Sequence, residues 1–280
     1  MRLKAAITQG SGTVNEDGYG VLGRSGSVEA AWVFDGVTGI NGRNYLPAAS
    51  DAAWIVEQAH SHLLALAGGE AALPDILEQL VARLIADWAE VTRGIALPEN
   101  YDPPAACLIL VKRYADGWKA LRLGDSCLLS REAEGDHQVH AASPNNAFDH
   151  WLSQEARKRR DAGVLDIKAL LAEFRPQLQA GRAKRNRSDG YSILECSEAA
   201  LKMPEYLALG TPADILLCTD GYYRAVDHYA LYDDAGLIRA SAADAGAVLK
   251  EIRAVEYFDA DCQKFLRFKP ADDATAVALA

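Results

Sequence analysis

The sequence predicts an α+β fold: a four-layer α-β-β-α sandwich with two mainly antiparallel sheets packed face to face and helices on both outer faces. Three observations predict it. Short apolar runs rich in β-branched residues recur along the chain, several joined by links too short for a crossover. Two long segments carry helical periodicity with a single apolar face. Some strand-like runs are apolar without alternation, as expected of strands buried on both sides.

The strand runs are Leu3 to Thr8, Tyr19 to Leu22, Val28 to Phe34, Ala106 to Lys112, Trp118 to Leu123, Cys127 to Ser130, Tyr191 to Glu195, Ile215 to Thr219 and Ala274 to Leu279. The links Ala115-Asp116-Gly117 and Gly124-Asp125-Ser126 suit hairpins. In the first helix Ala52, Ile55, Val56, Ala59, Leu63 and Leu66 share a face, after the cap candidate Ser50 and before Gly68. Leu77, Leu80, Val81, Leu84, Trp88 and Val91 repeat the spacing, with Pro74 near the start and Gly94 after the end. Further helical patterns cover Phe148 to Arg160, Ile167 to Leu178 and Ala242 to Val255. A helix with one apolar face belongs against a sheet, and AAWVF (Ala30 to Phe34) and ILLC (Ile215 to Cys218) need cover on both sides, which gives the four layers.

The chain has 280 residues, half of them hydrophobic, and no Pro/Gly/Ser-rich linker, low-complexity stretch or internal repeat divides it. Residues 1–280 therefore read as one domain. A net charge of -10 disfavours nucleic acid and anionic membrane as partners. The cysteines Cys107, Cys127, Cys196, Cys218 and Cys262 are scattered without a C-x-x-C pair, which reads as reduced, buried thiols. The apolar run in MRLKAAITQGSG is too short for a signal peptide and no eighteen apolar residues follow one another, so a soluble cytoplasmic protein is expected.

Carboxylates gather where strands begin or end. Glu16 and Asp17 precede the strand at Tyr19, Asp35 ends AAWVF, Asp125 follows Leu123, Asp220 ends ILLCT, and Asp272 and Asp273 precede ATAVAL. Each alone has an ordinary reading, because turns favour Asp for its hydrogen bonding. Together, five acidic clusters delivered to sheet edges would repel one another unless cations neutralised them. Hard oxygen donors of this kind suit magnesium or manganese.

The segments NEDG (Asn15 to Gly18), VFDG (Val33 to Gly36), LGDS (Leu123 to Ser126), CTDG (Cys218 to Gly221) and DDAT (Asp272 to Thr275) resemble the ordered motifs of metal-dependent protein phosphatases of the protein phosphatase 2C type. The resemblance runs from residue 15 to 275 and implies the same sandwich, with metals at one edge of the paired sheets. It implies that Asp35 bridges two divalent ions, Mn2+ or Mg2+, while Asp220 and Asp272 complete one ion's protein ligands. Glu16 and the carbonyl of Gly36 would serve the other ion, and Asp17 would hold a metal-bound water. A third, weaker ion would use Asp125 with Asp220. Asp273 stands where the family often has asparagine, and would be either an occasional ligand or a neighbour of one. The implied activity is hydrolysis of phosphoserine or phosphothreonine by a metal-bridging hydroxide, with Asp35 and Asp17 catalytic, on a phosphoprotein made by a serine/threonine kinase. Two metals roughly 4 Å apart activate a shared water and stabilise both the attacking and the leaving oxygen.

Two positions depart from the family. The arginine that grips substrate phosphate is replaced by Gly12, and the histidine thought to protonate the leaving group by Val37. These changes keep two other readings open: a phosphatase of small phosphorylated metabolites, and a catalytically weak pseudophosphatase acting as a binding module. Between Arg157 and Arg187, ten Lys/Arg face three acids, a local excess of seven, within the segment (about 143–190) where the family has a variable flap. Arg185 or Arg187 is the candidate substitute for the missing phosphate grip, because guanidinium pairs bidentately with phosphate. The alternative is a solvated helix face. His60 and His62, two apart on a helix, point to different faces and cannot readily share a metal.

Overall fold

The computed structural model describes residues 1–280 except Ser25, 134–136, 141–146 and 165, and except the side chains of residues 147 and 149. Its elements run β1 (Leu3–Gln9), β2 (Asp17–Arg24), β3 (Ser27–Gly36), α1 (Asp51–Leu66), α2 (Leu73–Val91), β4 (Ala105–Tyr114), β5 (Gly117–Leu123), β6 (Cys127–Arg131) and β7 (His137–His140). They continue with α3 (Ala147–Asp161), α4 (Ile167–Glu173), α5 (Arg175–Arg182), β8 (Leu194–Glu195), β9 (Glu205–Gly210), β10 (Asp214–Cys218), α6 (Asp220–Asp227), α7 (Asp234–Phe258) and β11 (Ala274–Leu279).

One sheet has the order β1-β11-β10-β6-β7 and the other β2-β3-β4-β5-β9, with β8 paired to β4, and neighbouring strands are antiparallel. Strand parity then sorts the apolar residues into layers. Ala31 and Val33 of β3, Ile109 and Val111 of β4, Leu128 of β6, Ile215 and Leu217 of β10, and Val277 and Leu279 of β11 meet between the sheets. The opposite face of β3 and β4, with Trp32, Phe34, Leu108 and Leu110, packs on Trp54, Ile55 and Leu63 of α1 and Leu77, Leu80 and Leu84 of α2. On the other side Leu216, Cys218, Ala276 and Ala278 pack on Tyr222 of α6 and Leu237, Val248 and Ile252 of α7. This is the four-layer sandwich expected. Each large aliphatic side chain so buried contributes about 1.5–3 kcal/mol relative to exposure, which makes the three apolar layers the main force holding the sheets in register.

Three elements differ from the expectation for identifiable reasons. The run Tyr191 to Glu195 yields only β8, because at Ile193 the side chain of Asn186 takes the place of a strand partner: Asn186 Nδ2 donates to Ile193 O (3.0 Å) and Ile193 N donates to Asn186 Oδ1 (2.9 Å). The run Ile167 to Leu178 divides into α4 and α5 at Pro176, which has no N–H to continue the ladder and stands at the start of the second helix. Helix α7 begins earlier than expected, at Asp234, and bends at Asp244 (φ -160°, ψ 92°), whose carboxylate accepts from Ala247 N at 3.0 Å as an internal cap. Strands β7 and β9 and helix α6 have no counterpart in the sequence reading.

The basic segment folds as α3 to α5 around Leu152, Ala156, Leu170 and Phe174, packed on Phe268. Part of its charge is engaged in docking. Arg157 donates to the carbonyls of Cys262 and Gln263, and Arg160 to those of Arg267 and Phe268. Among the described residues no helix is long and apolar enough to cross a membrane.

Candidate metal centre

The parity that builds the inter-sheet layer also aims the acids. On β3, Asp35 continues the series Ala31, Val33 and so lies at the mouth of the gap between the sheets, directly across the ladder from Asp17 on β2. On β10 the series Ile215, Leu217 leads to Thr219, and Asp220 opens α6 one residue later. On β11 the series Leu279, Val277 leads back to Thr275, with Asp272 and Asp273 just before the strand. The two sheets are stitched at this end: Thr219 Oγ1 donates to Asp17 Oδ2 (2.8 Å) and accepts from Thr275 N (3.0 Å).

Glu16 is held from every side. Its Oε1 accepts from Ser50 Oγ (2.5 Å), the side chain that also caps α1, and its Oε2 accepts from Thr38 Oγ1 (2.6 Å). Its carbonyl accepts from Gly36 N at 3.1 Å, an approach that only glycine permits, since a Cβ at Gly36 would stand 2.5 Å from that oxygen. Asp273 ties down the loop before Glu16, accepting from Glu16 N (2.7 Å), Ser11 N (2.6 Å) and Ser11 Oγ (2.9 Å). Asp125 is exposed at the flank, where Cys107 Sγ donates to its Oδ1 at 3.1 Å.

The electrostatics of the cluster are those of like charges held together. Burial pushes the Asp35 carboxyl well above the ordinary carboxylate range, and the charges of Asp17, Asp220, Asp125 and Asp272 push it further. Asp17 is raised by burial and by Asp272 and Asp273, against the opposing hydrogen bond from Thr219. Asp220 is pushed up to about 7 by burial and by Asp272, with Arg224 opposing. Asp272 behaves differently. Burial opposes its ionisation, yet the charges of Lys269 and Arg224 outweigh burial and hold its pKa below the ordinary value. Arg224 Nη2 donates to Asp272 Oδ2 at 2.7 Å, and Lys269 Nζ pairs with Asp272 Oδ1.

The donor chemistry fits divalent cations in one part of the cluster better than in another. Among the described residues, neither Asp35 nor Asp220 has a hydrogen-bond donor or an ion-pair partner on its carboxylate; both are half-buried, their charges offset by no direct contact. The oxygens of Glu16, Asp17 and Asp272 are turned towards Ser50 and Thr38, Thr219, and Arg224 and Lys269 respectively. In keeping with this, no three carboxylate, imidazole or thiolate groups among the described residues already surround one point as a coordination shell.

Sequence reading did not single out Arg224, Lys269, Thr38 or Thr219. Arg224 stands four residues after Asp220, the spacing of one helix face, and Lys269 three before Asp272, so both carried a local signal. Val37 packs against Ala105, Cys107 and Ile193, an apolar neighbour and not a proton donor. Arg185 is buried, donating through Nη1 to Asp102 Oδ1 and the carbonyl of Pro103 (3.1 Å each), whereas Arg187 is 66% exposed beside Asp189 at 3.5 Å. Arg182 also pairs with Asp102 and donates to Thr38 O at 2.6 Å, which ties the flap to the loop whose Thr38 hydroxyl holds Glu16.

Gly221 marks a second close approach. A Cβ there would meet Asp273 O at 2.1 Å and Asp272 Cβ at 2.9 Å. Alanine in an exposed helix position normally stabilises by up to about 1 kcal/mol relative to glycine. Here the clash reverses the sign, and Gly221→Ala is expected to cost roughly 2 kcal/mol in urea unfolding. A variant as stable as the parent would show that α6 can retreat from the 272–273 turn freely.

An α-β-β-α sandwich with carboxylates gathered where its sheets meet is the architecture that the resemblance to metal-dependent phosphatases implies. The protein phosphatase 2C family model matches residues 7–252, and the chain belongs to that family of phosphoprotein phosphatases. Among solved structures it is similar to the serine/threonine phosphatase PstP/Ppp of Mycobacterium tuberculosis, with 17% identity over 99% of this chain and 98% of that one and a TM-score of 0.58. It is also similar to a PstP catalytic domain in complex with two manganese ions (17% identity, 98% and 95% covered, TM-score 0.54). A third is the serine/threonine phosphatase Stp1 of Staphylococcus aureus (13% identity, 99% and 93% covered, TM-score 0.53). At these identities the likeness is one of fold. No curated protein matches the sequence.

Proposed function

We propose that residues 1–280 form one catalytic domain, with α3 to α5 as its flap, that hydrolyses phosphoserine or phosphothreonine in protein substrates with the help of two divalent ions, Mn2+ or Mg2+. The observation that carries this reading is the pair Asp35 and Asp220. They are two half-buried carboxylates, raised in pKa by burial and by the neighbouring acids and without a contacting cation among the described residues, at the place where the motif acids gather. Asp35 would bridge the ions, Glu16 and the carbonyl of Gly36 would hold one, and Asp220 with Asp272 the other; Asp125 with Asp220 would take a third, weaker ion. Bound, the ions would supply an activated water and neutralise the phosphoryl group in transfer.

The chain's own residues orient that centre. Ser50 and Thr38 fix the Glu16 carboxylate, Thr219 fixes Asp17 where it can hold a water, and Asp273 holds the 11–16 loop, a positioning role and not a ligand's. Arg187 has the accessible guanidinium of the two candidate phosphate grips, Arg185 being engaged with Asp102. The test is hydrolysis of p-nitrophenyl phosphate, a phosphothreonine peptide panel and small phosphorylated metabolites, with Mn2+ and with chelator. The expected result is turnover that needs Mn2+ and favours the peptides. Preference for metabolites would replace the substrate class, and absence of metal-dependent turnover would remove the enzymatic reading.

A further inference from the structure

The acidic cluster is asymmetric in its counter-charges. Asp272 accepts from Arg224 Nη2 at 2.7 Å and pairs with Lys269 Nζ, and Arg224 lies on the same helical face as Asp220, one turn away. Among the described residues no Lys, Arg or His makes an ion pair with Glu16, Asp17, Asp35 or Asp125. One acid of the centre, Asp272, therefore carries two fixed protein cations, and among the described residues Asp220 and the four acids on the other side make no ion pair. Neither cation is incidental to the surface. The side chain of Arg224 is 13% exposed, with Glu256 its next acidic neighbour at 3.9 Å and its Nη1 buried without a hydrogen-bond partner. Lys269 precedes Asp272 by three residues in the turn leading into β11.

We infer that Arg224 and Lys269 act as built-in cations at Asp272 that compete with a metal ion there, so that the two divalent ions bind with unequal affinity. The ion at Glu16, Asp35 and Gly36 loads first and tightly, while the ion at Asp35, Asp220 and Asp272 is weak and must displace Lys269 from the shared carboxylate. A divalent ion arriving beside Asp272 meets a carboxylate whose charge Arg224 and Lys269 already offset, and like charges a few ångströms apart in a half-buried setting lower affinity by tenfold or more. Occupancy of the second position, and with it activity, then responds to free Mn2+ in a range where the first position is already full.

This inference rests on the metal-centre reading above, and its test reads binding, not turnover. Free Mn2+ is followed by electron paramagnetic resonance while the whole metal-free protein is titrated. The expected wild-type result is one tight equivalent and a second at least about tenfold weaker. Lys269→Met should tighten the second class about tenfold or more and leave the first within about twofold, whereas Lys269→Arg, which keeps the charge, should leave both as they are. Arg224→Gln should act in the same direction, with circular dichroism reporting that the variant is folded. Two equal classes in the wild type, or a second class unmoved by Lys269→Met, would overturn the inference and leave the metal centre standing. No Mn2+ bound at all would remove both.

Discussion

Replacing Asp35 with asparagine is expected to lower kcat/KM for a phosphomonoester by at least about 10³-fold, roughly 4 kcal/mol of transition-state stabilisation, while the fold stays intact. Asparagine has the same shape and loses only the charge, so β3 keeps its place between β2 and β4 and its Ala31 and Val33 remain in the inter-sheet layer. What is lost is the carboxylate on which the field of the cluster converges: Asp17, Asp220, Asp125 and Asp272 all act on Asp35. Asp125→Asn is the useful contrast. Asp125 is exposed and flanking, so its loss should reduce the rate by less than about tenfold at saturating Mn2+. The measurement is p-nitrophenyl phosphate turnover with Mn2+, with far-UV circular dichroism on the same samples. A folded Asp35→Asn protein that keeps a tenth of the activity would show that the chemistry lies elsewhere.

Where the sequence was readable, it was so through strand parity. AAWVF is apolar on both faces because Trp32 and Phe34 meet α1 and α2 while Ala31 and Val33 meet the second sheet, and the same count places Asp35 at the inter-sheet mouth. The acids could be located because each ends or begins a strand whose direction was already fixed. The counter-charges were harder to read. Arg224 and Asp272 are 48 residues apart, and only the packing of α6 beside β11 brings them together. The hydroxyls of Thr38 and Ser50 meet on Glu16 from loops 22 and 34 residues away, with no periodicity to announce them. The basic flap shows the opposite case. Its charge was plain in the sequence, but its use was not, because backbone carbonyls of 262–268 and the lone carboxylate of Asp102 take up Arg157, Arg160, Arg182 and Arg185. β9 escaped notice because EYLALG pairs only with β5, at the edge of its sheet.

The stability of the metal-free protein should fall as pH rises, and Mn2+ should cancel or reverse that trend. Asp17, Asp35 and Asp220 have folded pKa values above the ordinary carboxylate value of 3.8, Asp220 at about 7. A carboxyl that holds its proton more tightly when folded favours the folded state at low pH, and that contribution is lost as pH climbs through the folded pKa. For Asp220 the loss runs from about pH 4 to 7, at about 1.4 kcal/mol for each tenfold difference in proton affinity between the folded and unfolded chain. Asp272 has the opposite sign. Its pKa is lowered, so its contribution is present at neutral pH and lost only in acid, outside this window. Metal binding needs the carboxylates ionised and so improves with pH, adding about 2.7 kcal/mol at a hundredfold excess over the dissociation constant. Thermal unfolding between pH 5 and 8, in chelator and in Mn2+, should therefore give melting temperatures that diverge with pH, falling without metal and level or rising with it. Parallel curves would mean that these acids carry neither the strain nor the ions. Asp35→Asn sharpens the expectation, because removing the central charge should flatten the metal-free decline and make the variant more stable than the parent at pH 8 while abolishing turnover. Stability gained at the cost of function in one substitution is what a cluster of acids assembled to hold cations should show.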